Sequence, residues 1–419
     1  MLFMDKINRV SWHEKSQYTA QTLIIGLAFI IPISTSLTTI LMMLILLTWL
    51  LSGDLKNKMQ FYFTHPLSVS ILLLLGLSLM GMLYTTASLT QGLETTKEYL
   101  RLAYIPVLMF YLRESSVQKN VAKAFVLAMV VTLILGYLKV YAHVPIGLKY
   151  TMGAVFKSHI KTSYLMAIAA FILSIYAYQN PKHRLIIGVV VIAMLYYLFF
   201  MSFGRIGHLT VLLLGLAWGW YHCRLKGILI MLGSLLVLLA ITYATSDVFA
   251  QRVDILEKDW IAYQKGGKAV AESSMGSRAM FYKTSTLIFL QHPLIGVGTG
   301  GFEKAYTDYY VGQNISLLTD NPHNQYLKIM VELGVLGLLA LFWLLYQPWR
   351  LSYQYEKEHR LLIQGILLSF YAGCLLNTWL CDFVESYFYL IFCATAFASV
   401  GLKEAKSVIK AASWLRVAK

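Results

Sequence analysis

The chain has 419 residues, of which 58% are hydrophobic and 13% charged, against about 45–50% and about 25% in a soluble domain; a water-soluble globule is excluded. The formal charge of +15 lies mostly in short segments between apolar runs, where Lys and Arg orient membrane helices and meet anionic headgroups. That placement argues against nucleic acid as a partner, because a phosphate-backbone reader carries its basic residues as a patch or stripe.

The first residues, MLFMDKINRVSWHEKSQYTA, are polar and mixed in charge, and no small-residue cleavage site follows the first apolar run. A retained first span is therefore expected. Runs of about 17 to 25 apolar residues suffice to cross a hydrocarbon core as helices. They predict about twelve spans, near residues 19–34, 36–52, 66–85, 98–112, 121–141, 160–178, 184–202, 206–223, 226–245, 324–347, 361–380 and 386–402. Helices are expected because open strands in lipid leave backbone groups without partners. The fold class predicted is an all-α integral membrane protein, one polytopic domain over residues 1–419, with a long loop between the ninth and tenth spans.

With the N-terminus in the cytoplasm, the inside segments hold Lys6, Arg9, Lys15, Lys56, Lys58, Arg113, Lys119, Lys123, Lys182, Arg184, Arg224, Lys226, Arg350, Lys357, Arg360 and the basic residues from Lys403 onward. The short outside segments hold Lys97, Arg101, Lys149, Lys157, Lys161 and Arg205. This bias places both termini inside. The loop 246–323 then lies outside, in the periplasm of a Gram-negative cell, and its length marks it as a functional element. Within it, SSMGSRAMFYKTSTLIFLQHP reads as a helix capped by Ser274 or Ser277 and ended at His292 and Pro293; such a helix can lie along the membrane surface.

The outward-facing polar residues are the candidate site. Arg205, in FFMSFGRIGH, stands in an otherwise apolar run, where a charge is costly and marks a pathway or site; snorkelling to the interface is the structural alternative. Arg278, near the start of the loop helix, offers a guanidinium and nearby backbone N–H groups to a diphosphate. An imidazole titrates near neutrality, so His323, in DNPHNQYLKIMVELG, is suited to take a proton from a hydroxyl, a loop histidine near a helix cap being the structural alternative. Asn321 and Asn324 read either as hydroxyl-binding amides or as helix caps. Lys157, His159 and Lys161, in FKSHIKTSY, form a second outward cluster suited to an anion or to headgroups.

Other signals carry less. GVGTGG, residues 296–301, follows no strand and lacks a Gly-Lys-Ser/Thr end, so it reads as a flexible turn and not a nucleotide-binding loop. Asp382 and Glu385 fall in an outer loop, where solvated carboxylates are ordinary. The four cysteines, Cys223, Cys374, Cys381 and Cys393, lie in or at the edge of apolar runs, so no disulfide framework is implied. Without HExxH, paired Cys or DxD motifs, no metal and no cofactor are expected.

Three pieces in order, SFGRIGHLTVLLLGL, GSRAMFYKTSTLIFLQHPLIGVGTGGFEKAY and NPHNQYLKIMVELGVLGLLALF, resemble the O-antigen ligase family of bacterial inner-membrane glycosyltransferases, from about residue 155 to 348. The family also takes in O-antigen polymerases and protein O-oligosaccharyltransferases. The resemblance implies inverting, metal-independent transfer of a glycan from undecaprenyl diphosphate to a sugar hydroxyl of lipid A-core, in lipopolysaccharide biosynthesis. It implies that Arg205 and Arg278 hold the diphosphate and that His323 orients or deprotonates the acceptor. One departure is Gly204, which stands where the family often has Ser before the arginine. A lipid or glycan transporter is the non-enzyme alternative; it would carry charges within several spans and repeat-related halves.

Overall fold

The computed structural model describes residues 12–148, 152–202, 204–265, 273–311 and 318–400. Lys6, Arg9, Lys149 and the basic residues beyond 400, on which part of the charge bias rests, lie outside the described residues. The described chain is all-helical, with no strand. In order it forms α1 (Trp12–Ile30), α2 (Thr35–Leu51), α3 (Leu55–Thr64), α4 (Pro66–Gly81), α5 (Leu89–Leu100), α6 (Tyr104–Tyr111) and α7 (Ser115–Tyr141). There follow α8 (His159–Gln179), α9 (Arg184–Tyr196), α10 (Arg205–Thr245), α11 (Asp247–Lys265), α12 (Ser274–Gln291), α13 (Phe302–Tyr309), α14 (Gln325–Ser352), α15 (Lys357–Cys374) and α16 (Phe383–Phe397).

By length and composition five helical segments can cross a membrane: Ser115–Tyr141, His159–Gln179, Pro181–Met201, Arg205–Thr245 and Gln325–Ser352. A sixth is added if α2 and α3, bent by 119° at their junction, count as one span. The other predicted spans fall on shorter, interrupted or more polar helices. The run 98–112 is one such case, broken by a 3-10 turn over Arg101–Ala103. Conversely, the 41-residue α10 contains the two predicted runs 206–223 and 226–245. Arg224 leaves the helical region at φ 52, ψ −133, and the backbones of Gly219 and Gly227 meet. A Cβ on Gly219 would lie 2.5 Å from the Gly227 carbonyl oxygen. Residues eight apart in a straight helix are separated by about 12 Å, so α10 turns back on itself as a hairpin.

The main apolar core gathers residues of α1, α2, α4, α6, α7, α8, α14, α15 and α16. A smaller cluster, Phe281, Ile288, Val297, Phe302, Tyr306 and Val331, holds α12 and α13 against α14. What positions these outer elements is a break in α14. Gly334 adopts φ 64, ψ −157, and beside it the carbonyls of Val331 and Glu332 accept from Val297 N (2.9 Å) and Gly298 N (2.9 Å). Val335 N donates in return to Pro293 O at 2.9 Å. The segment 293–301 is also tied to the end of α4, through Thr299 N to Gly81 O (3.2 Å) and Thr299 Oγ1 to Ser78 O (2.6 Å). The glycine-rich run expected as a flexible turn is thus a strap pinned on both sides, because its short residues let two backbones approach within hydrogen-bonding distance. Replacing Gly334 with Val would set a Cβ 2.4 Å from the Leu294 carbonyl carbon. It should cost about 2–4 kcal/mol, read as a lower melting temperature in detergent; an unchanged melting temperature would refute the strap's structural role.

Candidate active site

His323 lies at the turn into α14. The turn is built locally: Asn321 Oδ1 accepts from His323 N (2.8 Å), and Asn324 caps α14 by accepting from Tyr326 N (2.9 Å) and Leu327 N (3.1 Å). The Asn321 amide also donates to Thr378 Oγ1 at 2.8 Å. Of the two readings open for these asparagines, the structure shows capping and turn-making. His323 itself takes φ 51, a left-handed conformation uncommon for a residue with a Cβ and often found at functional turns.

The imidazole is half-buried, with Nδ1 2.9 Å from Asn377 Oδ1. Asn377 Nδ2 donates to Asp382 Oδ2 at 2.6 Å. This order fixes the histidine tautomer. An ionised carboxylate only accepts, so the Asn377 amide must face it with N–H; its oxygen then faces His323, and Nδ1 carries the proton. Nε2 is left with its lone pair. Asp382, expected as an ordinary solvated loop acid, is instead part of this relay, and Glu385, one turn on, is buried. Burial pushes the Asp382 carboxyl above its ordinary value, while Lys161 opposes the shift, Glu98 adds to it, and His323 and Lys328 oppose it. Lys328, buried, forms an ion pair with the partly exposed Glu98 at 3.5 Å.

The loop that carries Asn377 and Asp382 is held by groups from distant segments. Leu380 N donates to Gln325 Oε1 at 3.0 Å. Arg101 Nη1 donates to Cys381 O at 2.7 Å, with its guanidinium 5.4 Å from the Phe383 ring. The Trp379 ring is buried against Tyr164 (4.4 Å) and Phe370 (5.4 Å). From the other side comes α12, whose cap is Ser273, accepting from Gly276 N at 3.0 Å, rather than Ser274 or Ser277. Tyr282 on this helix donates to Leu375 O (2.8 Å) and lies 3.3 Å from His323 O. The Phe281 ring stands 6.0 Å from the imidazole. Arg278 is three and four residues before this pair, hence on the same helix face one turn toward the N-terminus.

Arg205 enters from a third direction, as the first residue of α10. The preceding Gly204 lies on α8, where a Cβ would meet Ser163 Oγ at 2.1 Å and the His159 carbonyl oxygen at 2.7 Å. The glycine that departs from the family pattern is required here by that close approach. His159 and Lys161, in the first turn of α8, are thereby beside Arg205, and the Lys161 charge is felt by both Asp382 and Glu385. Burial, and then the charge of Lys161, push the Lys157 amine below its ordinary value. The ion pairs among the described residues join Lys304 to Asp308 and Lys328 to Glu98. Neither uses Arg205, Arg278 or Lys161, so among the described residues these three cations have no carboxylate within salt-bridge distance. Among the described residues, no group of three or more His, Cys, Asp or Glu is placed to hold a metal ion.

The described chain is all-helical, with several helices long and apolar enough to cross a membrane, and it holds His323, Asn377 and Asp382 in one hydrogen-bonded relay. Residues 146–342 match the family described as O-Antigen ligase. No match is found among curated proteins. The matched segment contains Lys161, Arg205, Arg278 and His323 but not Asn377 or Asp382. Sequence reading missed those two because neither lies in a motif; only the spacing of polar residues in NTWLCDFVES, between two apolar runs, distinguished them. Gly204→Ser should displace the start of α10 from α8, lowering the melting temperature and exposing Arg205 to arginine-selective labelling. A variant as stable and as slowly labelled as the wild type would contradict the packing described.

Proposed function

We propose that the protein is an O-antigen ligase, transferring glycan from undecaprenyl diphosphate to a sugar hydroxyl of lipid A-core in lipopolysaccharide biosynthesis. The observation that carries the reading is the hydrogen-bonded relay from His323 through Asn377 to Asp382, in a chain whose residues 146–342 match the O-antigen ligase family and include Arg205, Arg278 and His323. The proposed setting is the bacterial inner membrane, with twelve spans in one domain, both termini cytoplasmic, and loop 246–323 in the periplasm.

The acceptor hydroxyl attacks the anomeric carbon as its bond to the phosphate oxygen breaks, inverting that centre. His323 Nε2 takes the hydroxyl proton, and the relay to Asp382 stabilises the imidazolium that forms. The diphosphate leaves with the bonding electrons, and Arg205 and Arg278 neutralise the charge it gains, as fixed guanidinium groups do without a metal. His159 and Lys161 line the approach to Arg205 for the anionic donor. Asn321 and Asn324 act by shaping the turn that presents His323. The O-antigen polymerase and protein O-oligosaccharyltransferase readings use the same chemistry with a different acceptor. Transport is disfavoured because the matched family is described by a ligase activity and because His323 is held in a single defined relay.

Purified protein mixed with undecaprenyl-diphosphate glycan and lipid A-core in EDTA should yield glycan on the core. His323→Ala should lower kcat about 10²–10⁴-fold, and Arg278→Ala about 10²–10³-fold, at matched folded amounts. Glycan dimers on the carrier would establish a polymerase instead, and no covalent product would count against transfer altogether.

The pH profile tests the relay. As pH falls through the raised Asp382 value, its carboxylate is protonated and the polarisation of Asn377 and His323 weakens, so activity should fall on the acid side. Lys161 favours the ionised form. Lys161→Met should therefore raise the Asp382 value further and move the acid limb of kcat/KM to higher pH. A limb that stays put or moves to lower pH would show that Asp382 does not govern it.

A further inference from the structure

A cleft of about 310 Å³ opens at the far end of α12 from His323, lined by Thr86, Ile288, Gln291, His292, Asp308 and Tyr309, with Val297 and Ala305 beneath. Its volume is at the small end of ligand sites, enough for a sugar unit and not for a whole glycan. Its rim supplies the mixture of groups that sugar hydroxyls require. Gln291 offers donors and an acceptor, Asp308 offers acceptors, and His292 and Thr86 offer one of each. Tyr309 adds a flat face with a polar tip, while Ile288, Val297 and Ala305 form an apolar floor.

The walls are fixed in place. Thr86 N donates to Val297 O at 3.1 Å, and Thr85 Oγ1 donates to Thr299 O at 2.9 Å. Gln91 Nε2 donates to Glu303 Oε2 at 2.9 Å, joining α5 to α13. The strap therefore forms one side of the cleft, so its shape exists before any ligand arrives. The cleft also lies at a set distance from the relay. Phe281 and Ile288 are seven residues apart on α12, and Tyr282 and Gln291 nine, or about 10 and 14 Å along the axis. That separation is more than a single sugar ring spans, so a ring in the cleft would not be the one that reacts.

We propose that this cleft is a carbohydrate subsite, holding a sugar of a saccharide chain whose reacting end lies at His323. The inference rests on the glycan-transfer reading above. The shared chemistry is a polyhydroxylated ring, supplied either by the donor glycan or by the acceptor core. Its role is to align an extended chain over α12, so it acts on affinity and not on the bond-making step.

The test uses the full-length protein in detergent and two lipid-free probes: the oligosaccharide released by mild acid from the lipid-linked donor, and the core oligosaccharide released from lipid A. Binding is measured by saturation-transfer NMR for the wild type, His323→Ala, Gln291→Ala and the double variant Gln291→Ala with His292→Ala. Gln291 and His292 are exposed, so these changes leave the fold intact, as a melting curve checks. The expectation is that one probe binds the wild type and His323→Ala alike, and binds the double variant at least fivefold more weakly. Whichever probe binds identifies the chain that occupies the cleft. In transfer assays the same double variant should raise KM for that substrate about five- to tenfold with kcat unchanged, whereas His323→Ala lowers kcat. Equal binding of both probes to wild type and double variant, or no binding to either, overturns the subsite. Cleft-dependent binding without any transfer by the wild type would support the subsite while defeating the transferase reading, so the two failures are distinguishable.

Discussion

The carbonyls of Val331 and Glu332 lack their helical partners because α14 breaks at Gly334, and unpaired carbonyls in an apolar interior are costly. The strap over residues 293–301 supplies the missing donors from Val297 and Gly298. The position of α12 follows from this, since its last residue, Gln291, is two residues from Pro293. At its middle Tyr282 is tied to the loop after α15. The helix is thus fixed at its C-terminal end and at its centre, and its position descends from a backbone requirement in the helix beside it.

The relay works by elimination of alternatives. A histidine at a loop can present either ring nitrogen, and a lone imidazole has no reason to choose. Asp382, able only to accept, orients the Asn377 amide, and the amide orients the imidazole. Such outer partners set ring orientation and basicity in much the same way where histidine binds metals. Lys161 favours the ionised form of Asp382 within a site whose burial penalises it. The same lysine adds to the positive field around the relay, so one side chain serves both parts of the site.

The family match and the relay cover different parts of the chain. The match ends at residue 342, while Asn377 and Asp382 lie beyond it, and their loop is held by Arg101, before the matched segment, and by Gln325, within it. The matched segment alone lacks the groups that fix the His323 tautomer. Gly204 illustrates the converse. It departs from the family pattern, yet the contact with Ser163 and His159 leaves no space for a larger residue.

What the sequence determined by itself was whatever depends on runs and local spacing. Apolar stretches fix helices in a membrane because backbone groups in hydrocarbon must bond within their own segment. Arg205, Arg278 and His323 stood out as candidates in the sequence because a polar residue beside an apolar run carries an energetic cost that calls for a reason. Helix α12 was legible from its terminating His292 and Pro293, though not its cap. Only the tertiary structure decided which polar residues meet. That Gly219 faces Gly227, that the glycine-rich run is a strap, and that Asp382 reaches His323 through Asn377 are all contacts between separate stretches of backbone. Such contacts depend on where helices break and turn, and Gly334 and Arg224 break theirs without a proline to announce it.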